Sequence, residues 1–524
     1  MKTSLYLITF ISTLFLFSVI NDIQAQPTIE WQKTFGGTGT EWPYAINTTS
    51  DNGFIIAGKT LSNNGDVTGF QGLSDYWIVK TDSVGMLQWQ KTLGGTATEE
   101  AHSIQQTFDG GYIVVGWSNS LDGDVTGNHG VDDVWVVKLS NNGSIEWQKT
   151  LGGTNTDWAW SIKQIADSNY VIVGSTFSND GDVSGNHGDY DVWLVKLSNA
   201  GNIIWQQALG GTSSDQARTV EQTSDGGFIV AASSQSNNGD VSGNHGDYDI
   251  WVVKLDSQGI LQWQKSLGGS SADIQYGALQ TNDEGYFISG VTTSNNGDVS
   301  GFHGTSDFWV VKLDNLGNLQ WQKCLGGTWA DQGRDAKQTI DGGYIVAGYA
   351  KSINGDLTNN FGGEDAWLVK LDTAGNIEWQ KTFGGSYDEQ VNSILQISNE
   401  DFAFASYTNS NDYNVTNNHG QADFWIVKLN QVNTANDFLE SDANFNVFPN
   451  PAKENMTIIS NKIYTQPFEI SIFNSLGEVL LHKQVTTPTI NTLLNISQLN
   501  NGVYFLNITS NGSSYYHKKI IIMK

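Results

Sequence analysis

Cysteine is nearly missing from this chain: Cys324 is the single one in 524 residues. An internal disulfide is therefore impossible, and the fold must be held by core burial, with bound metal as the remaining kind of staple. Cys324 occupies a slot where sister segments carry Thr or Ser, which marks it as a small buried side chain rather than a nucleophile. Arginine is almost as rare. Arg218 and Arg334 are the only two, and lysine and arginine together number 26 against 54 acids, a net charge of −28. A surface of that sign repels phosphate backbones and argues against nucleic acid as a partner, while it favours solubility and divalent cations. Beyond the N-terminus no apolar run is long enough to span a membrane. The usual catalytic signatures are also missing: there is no Gly-x-Ser-x-Gly, no His-Glu-x-x-His, no phosphate loop and no zinc spacing.

The first 25 residues read differently from the rest. Met1-Lys2 is followed by an apolar run from Leu5 to Phe17 and then by Ile23-Gln24-Ala25. A basic start, a short apolar core and a small final residue predict a secretory signal peptide over 1–25, cleaved after Ala25. The alternative, a membrane anchor, would need a longer run.

What the chain has in abundance is self-similarity. Trp-Gln-Lys begins at Trp31 and recurs at Trp89, Trp147, Trp205 (there Trp-Gln-Gln), Trp263, Trp321 and Trp379, every step being 58 residues. A strict period of that size denotes a solenoid, propeller or array. Within one copy, Ala101–Thr107 reads as a short strand ended by Asp109-Gly110, whose residues suit a hairpin turn. The segments 111–116, 134–139 and 145–149, rich in β-branched and aromatic residues, supply three more strands. Four short antiparallel strands per repeat make one propeller blade. An open stack of repeats is the alternative, but it needs polar caps at both ends. This array instead begins with a lone fourth strand, 29–33, and ends with a third strand, 424–428, that lacks a successor. Joining the two closes the ring and pairs both open edges. The prediction is an all-β chain: a seven-bladed β-propeller over 27–430, a polar linker over 431–444, and a small immunoglobulin-like β-sandwich over 445–524.

Two patterns within the repeat carry candidate chemistry. The first lies in the long loop between second and third strands. Counting from Asp180, oxygen-bearing residues stand at positions 1, 3 and 5, Gly185 at position 6 and Asp191 at position 12. This is the spacing of a calcium loop. The candidate metal ligands are Asp66 and Asp75; Asp122, Asp124 and Asp133; Asp180, Asp182 and Asp191; Asp240 and Asp249; Asp298 and Asp307; Asp356 and Asp365. Against calcium, position 1 is Asn in four loops, position 5 is never acidic, and position 12 is Asp rather than the longer Glu. Plain hydrogen-bonded turns are the competing explanation. The loop histidines, a blade apart, are assigned to loop packing.

The second pattern is a place where the repeat breaks its own rule. One first-strand position is Tyr44, His102, Trp160, Arg218, Tyr276, Arg334 and Asn392 in successive blades, and two residues earlier Trp42 and Trp158 alternate with polar and apolar residues. Both arginines of the chain fall in this register. Innermost strands would bring these side chains to the mouth of the central channel, and aromatic, Arg, His and Asn side chains converging on a concavity are the makings of a ligand site, with a sugar favoured. Neutral drift at exposed positions is the competing explanation.

The tail changes character and is basic where the ring is acidic. It contains Asn446-Val447-Phe448-Pro449-Asn450-Pro451-Ala452, the turn Leu476-Gly477-Glu478, the segment Asn501-Gly502-Val503-Tyr504 and a terminal Lys518-Lys519 followed by apolar residues. In that order these resemble the C-terminal sorting domain (type A) of the Bacteroidota type IX secretion system. The resemblance implies passage through the periplasm, recognition of the tail by the type IX machinery, and delivery to the cell surface or the medium. It implies nothing about the ring. Three functions therefore stand open: a surface or secreted propeller binding a glycan or protein, a propeller enzyme degrading polysaccharide, and a passive calcium-stabilised adhesive scaffold.

Overall fold

A computed structural model describes residues 26–398, 401–431, 445–460, 468–474, 479–485, 491–510 and 513–524. The signal-peptide segment 1–25, linker residues 432–444 and the tail's Leu476-Gly477-Glu478 turn lie outside the described residues. Two compact units result, one of them spanning Gln26–Gln431.

That unit contains seven four-stranded antiparallel sheets. Six are formed by consecutive strands, as in Glu41–Thr48, Phe54–Thr60, Asp75–Thr81 and Leu87–Leu93. The seventh joins the two ends of the array: Pro27–Phe35 lies beside Asp423–Gln431, followed by Asp401–Thr408 and Glu389–Ser398. Trp31 stands opposite Lys428 and Thr34 opposite Trp425. First strands of adjacent sheets touch one another all the way round, and Glu389–Ser398 touches Glu41–Thr48 to complete the circuit. The fold is a closed seven-bladed β-propeller with the first strands innermost.

The repeated tripeptide explains how blades hold together. Each of its tryptophans meets an aromatic ring of the next blade's second strand edge-on, from Trp31 on Phe54 at 5.6 Å and Trp89 on Tyr112 at 5.7 Å to Trp379 on Phe402 at 6.0 Å. Each of its glutamines accepts a hydrogen bond from the fully buried third-strand indole of its own blade, as in Trp77 Nε1 to Gln90 Oε1 at 2.8 Å. That satisfies the one polar atom an otherwise apolar side chain brings into the core. Second-strand residues alternate between the two neighbouring interfaces, Ile55 and Ala57 facing one and Phe54 and Ile56 the other, so both faces of each sheet are buried. On the hairpin side, the third-strand lysine reaches an aspartate of its blade's first hairpin in six blades, Lys80 with Asp51 and Lys254 with Asp225 both at 2.9 Å. Lys428 pairs instead with Glu30 at 2.8 Å, again across the closure.

The tail folds as two antiparallel sheets over one core. One sheet contains Phe445–Phe448, Asn455–Ser460 and Asn491–Asn495; the other contains Val479–Val485, Phe468–Phe473, Gly502–Ser510 and Ser513–Ile522. Met456, Ile470, Ile472, Leu494, Leu506 and Ile520 bury their side chains between them. The Pro-Asn-Pro segment ties down the last strand: Ile521 N donates to Asn450 Oδ1 at 2.7 Å. Among the described residues no helix is long and apolar enough to cross a membrane.

Candidate functional site

The variable first-strand position is a bulge in every blade. Ala101 pairs with Gly116 and Ser103 with Val115, which leaves His102 without a facing residue in the ladder. The same skip falls at Tyr44, Trp160, Arg218, Tyr276, Arg334 and Asn392. A bulge bends its strand and re-aims one side chain. It also presses the backbone against the facing strand, and a Cβ on Gly116 would overlap the carbonyl oxygen of Glu100. Glycine recurs at this facing position in Gly58, Gly174, Gly290 and Gly348.

The re-aimed side chains meet in an annulus within the channel. Tyr44 packs on His102 with ring centroids 4.5 Å apart, and His102 on Trp160 at 4.2 Å. The Arg218 guanidinium lies over Trp160 at 4.7 Å and over Tyr276 at 4.6 Å, while Arg334 covers the same Tyr276 at 4.4 Å. Asn392 Nδ2 donates to the Pro43 carbonyl at 2.8 Å, and Tyr44 Oη donates to Glu100 at 3.2 Å. His102 is only 8 % exposed, and burial, helped by Arg218 and Lys59, pushes its imidazole down to about 3, so it is neutral at physiological pH.

A cavity of about 240 Å³ abuts this annulus. Its walls are the residues that follow the bulge, including Asn47, Ser103, Lys163, Glu221, Leu279, Asp335 and Lys337. Sequence reasoning placed the variable residues at the channel mouth beside the long loops. The structure places them midway along the strands, with the cavity on the hairpin side. A second concavity of about 670 Å³, sharing Glu221, Leu279 and Lys337 with the first, extends the space towards the hairpins Thr223-Ser224 and Thr339-Ile340. Trp42 and Trp158 do not line the cavity. Trp42 stacks on Tyr407 at 5.4 Å under the Lys59 ammonium, and Trp158 stacks on Tyr190 at 5.6 Å while donating to Asp132.

Sequence reasoning missed two features here. The lower wall register, Asn47, Gln105, Lys163, Glu221, Leu279, Lys337 and Leu395, varies as freely as the bulge and carries both lysines of the cavity's ion pairs and one of the two carboxylates. Lys163 meets Glu221 at 2.5 Å and Lys337 meets Asp335 at 2.6 Å. A second-strand register, Lys59, Trp117, Ser175, Ser233, Val291, Tyr349 and Tyr407, pairs with the Trp42 position. Stepping along the chain by 58 residues, which revealed the variable first-strand position, exposes both.

The long loops spend their oxygens on the backbone between blades. Asp122 and Asp180 at position 1 accept from Thr96 N and Thr154 N, both at 2.8 Å, and Asn238 does the same for Thr212. Position 3 accepts from the first glycine of the connection, Asp66 from Gly36, Asp124 from Gly94, Asp182 from Gly152, Asp240 from Gly210, Asp298 from Gly268 and Asp356 from Gly326. At position 12 the Oδ2 atoms of Asp133, Asp191, Asp249 and Asp307 accept both backbone and Nδ1 contacts from a loop histidine, as between His187 and Asp191. Asp75 and Asp365 receive backbone amides of Gln71 and Phe361 instead. Among the described residues no group of three or more His, Cys, Asp or Glu is arranged to hold a metal ion.

One atom in each loop is left over. The Oδ1 atoms of Asp75, Asp133, Asp191, Asp249, Asp307, Asp365 and Asp423 are buried without a hydrogen-bond partner among the described residues. Each residue is 0 % exposed, close to the buried acid that opens the next blade's first strand. Burial, with repulsion from Glu99 and Asp124, pushes the Asp75 carboxyl up to about 7, and burial with Glu389 does the same for Asp365. Burial lifts Asp133 and Asp191 less, to about 6, because a histidine also hydrogen-bonds each carboxylate.

Comparison with known proteins supplies the identity of one part. Residues 446–523 match the family described as Secretion system C-terminal sorting domain. The chain is thus an exported β-propeller protein: its tail is a type IX sorting domain that engages the secretion machinery and directs the protein to the cell surface or beyond. The Regulatory protein FlaEY of Caulobacter vibrioides is 25 % identical over 239 residues, 40 % of this chain and 25 % of that protein, so the chain spans a quarter of that curated relative's length. Similar solved structures include the Neurospora crassa Pan2 WD40 domain, with a TM-score of 0.41 and 11 % identity over 75 % of this chain and 91 % of that one. Sqt1 from Chaetomium thermophilum gives 0.40 and 10 % over 78 % and 100 %, and a puromycin hydrolase 0.42 and 10 % over 80 % and 58 %.

Proposed function

We propose that the protein is an exported binding propeller whose channel cavity takes a glycan. The observation that carries this reading is convergence: the bulge position, where repeat identity is lost, supplies all seven side chains of one annulus, and that annulus floors a cavity. Polar groups of the cavity wall, such as Asn47, Ser103 and the Lys163–Glu221 pair, suit the hydroxyls of a sugar, and bulges are a common means of re-aiming side chains at a site. The cavity is slightly smaller than the ~300–1,000 Å³ of pockets for drug-sized ligands, which suits one ring or a chain end.

The enzyme alternative is less well supported by the same geometry. The cavity carboxylates Glu221 and Asp335 each contact a lysine, which leaves neither as a free acid facing an empty base. The decisive experiment is a glycan array probed with the mature exported protein, alongside polysaccharide turnover assays. Binding that Trp160→Ala weakens, without turnover, supports the reading. An array without signal removes the glycan, and turnover establishes the enzyme instead.

A further inference from the structure

Building on the binding reading above, we infer that the group recognised in the channel is anionic: a sugar bearing a carboxylate or sulfate ester, presented at the end of a polysaccharide chain. Arg218 and Arg334, the only arginines of the chain, both sit on bulges and sandwich Tyr276. Neither makes an ion pair among the described residues, although acids outnumber bases twofold in this protein. The contrast with the lysines is sharp. The cavity's own Lys163 and Lys337 are paired, and so is the lysine of every third strand, from Lys80 to Lys428.

A guanidinium held in a half-buried channel without a counter-charge is costly to keep. Arg334 Nε is buried with no hydrogen-bond partner among the described residues. Burial and repulsion from Arg334, partly offset by Tyr276, lower the proton affinity of Arg218. Arg218 held over Trp160 and Tyr276, and Arg334 held over Tyr276, keep N–H groups with which to grip a planar or tetrahedral oxyanion bidentately. The chain as a whole, at net charge −28, opposes a long polyanion lying across it. A chain terminus entering from the hairpin side meets the positive annulus with the least of that repulsion, and the wider vestibule leaves room for the following residue.

The test compares, by titration calorimetry on the mature exported protein, a trigalacturonate, the neutral trigalactoside, a sulfated trigalactoside and inorganic sulfate. The acidic or sulfated sugar is expected to bind about thirtyfold or more tighter than the neutral one, the ratio typical of losing an arginine anchor. Arg218→Gln and Arg334→Gln should each abolish that preference, and Arg218→Lys should not restore it, with circular dichroism and melting curves confirming that the variants fold. Sulfate should raise the melting temperature of the parent protein more than that of the double Gln variant. Equal binding of neutral and anionic sugars would overturn the anion inference and leave the binding propeller standing. Anion preference that survives both Gln substitutions, or capture of free sulfate with no sugar bound, would also overturn it. If no sugar and no anion binds, the binding reading itself falls.

Discussion

Trp425 Nε1 donates a hydrogen bond to Gln32 Oε1 at 2.5 Å across 393 residues of chain. Trp135 makes the identical bond to Gln148, its own blade's glutamine, at 2.8 Å across 13. In this bond the seam of the ring is the same as any blade, and the energetics of the bond should match.

Gln32→Leu and Gln148→Leu both strand a buried indole N–H, and each should cost about 1–3 kcal/mol in thermal or denaturant unfolding. Deleting Pro27–Phe35 should do far more. It removes the Trp31–Phe54 contact and leaves Asp423–Gln431 as an open edge, so a large fall in Tm or aggregation is expected. An unchanged melting curve for the deletion would refute closure by this strand.

The buried aspartates of the long loops set a pH dependence with a definite sign. A carboxyl whose pKa rises on folding favours the folded state where it is protonated and loses that contribution as pH climbs through the raised value. Asp75 and Asp365, held at about 7 against an ordinary 3.8, should make the protein less stable at pH 8 than at pH 5. A tenfold difference in proton affinity between folded and unfolded chain corresponds to at most about 1.4 kcal/mol. Asp75→Asn should flatten the profile and raise Tm at pH 8. A Tm that increases between pH 5 and pH 8 in the parent, with no change in the variant, would contradict this.

Calcium is testable in the same loops. Their side-chain oxygens at positions 1 and 3 already serve inter-blade amides, and one oxygen at position 12 serves the loop itself, so melting in millimolar calcium and in chelator is expected to coincide. A higher Tm with calcium would show that the ion recruits the unpartnered Oδ1 atoms and would restore the ion reading.

Trp160 and Trp158 offer a contrast within one strand. Trp160→Ala breaks the His102–Trp160–Arg218 stack, so it should weaken ligand binding and also cost about 1–3 kcal/mol of stability for a partly buried ring. Trp158→Ala loses a stack on Tyr190 on the far side of the annulus, and ligand affinity should be unchanged. Equal losses of affinity in the two variants would move the site away from the cavity.

Much of this architecture was legible in the sequence because the period is strict. Strand order, blade number and the closing strand follow from where Trp-Gln-Lys starts and stops. The bulge did not follow, because a two-residue alternation cannot show a skipped residue; the glycine facing it, as in Gly116, was the available clue. That omission shifted the variable residues from mid-channel to the mouth and overstated their freedom, since Tyr44, His102 and Trp160 pack on one another. The loops leave two readings open. Asp, Asn, Ser and Gly at alternate positions serve a calcium ion and a hydrogen-bonded connector equally well, and partners such as Thr96 N for Asp122 support the connector.

The seam also fixes a sequence of events. Ribosomes deliver roughly 5–20 residues per second, so Pro27–Phe35 appears tens of seconds before Asp423–Gln431, the strand it pairs with. During that interval the growing chain cannot complete the ring. The last repeat finishes immediately before the sorting tail is made, so the address is written only onto a chain that already possesses every strand needed to close.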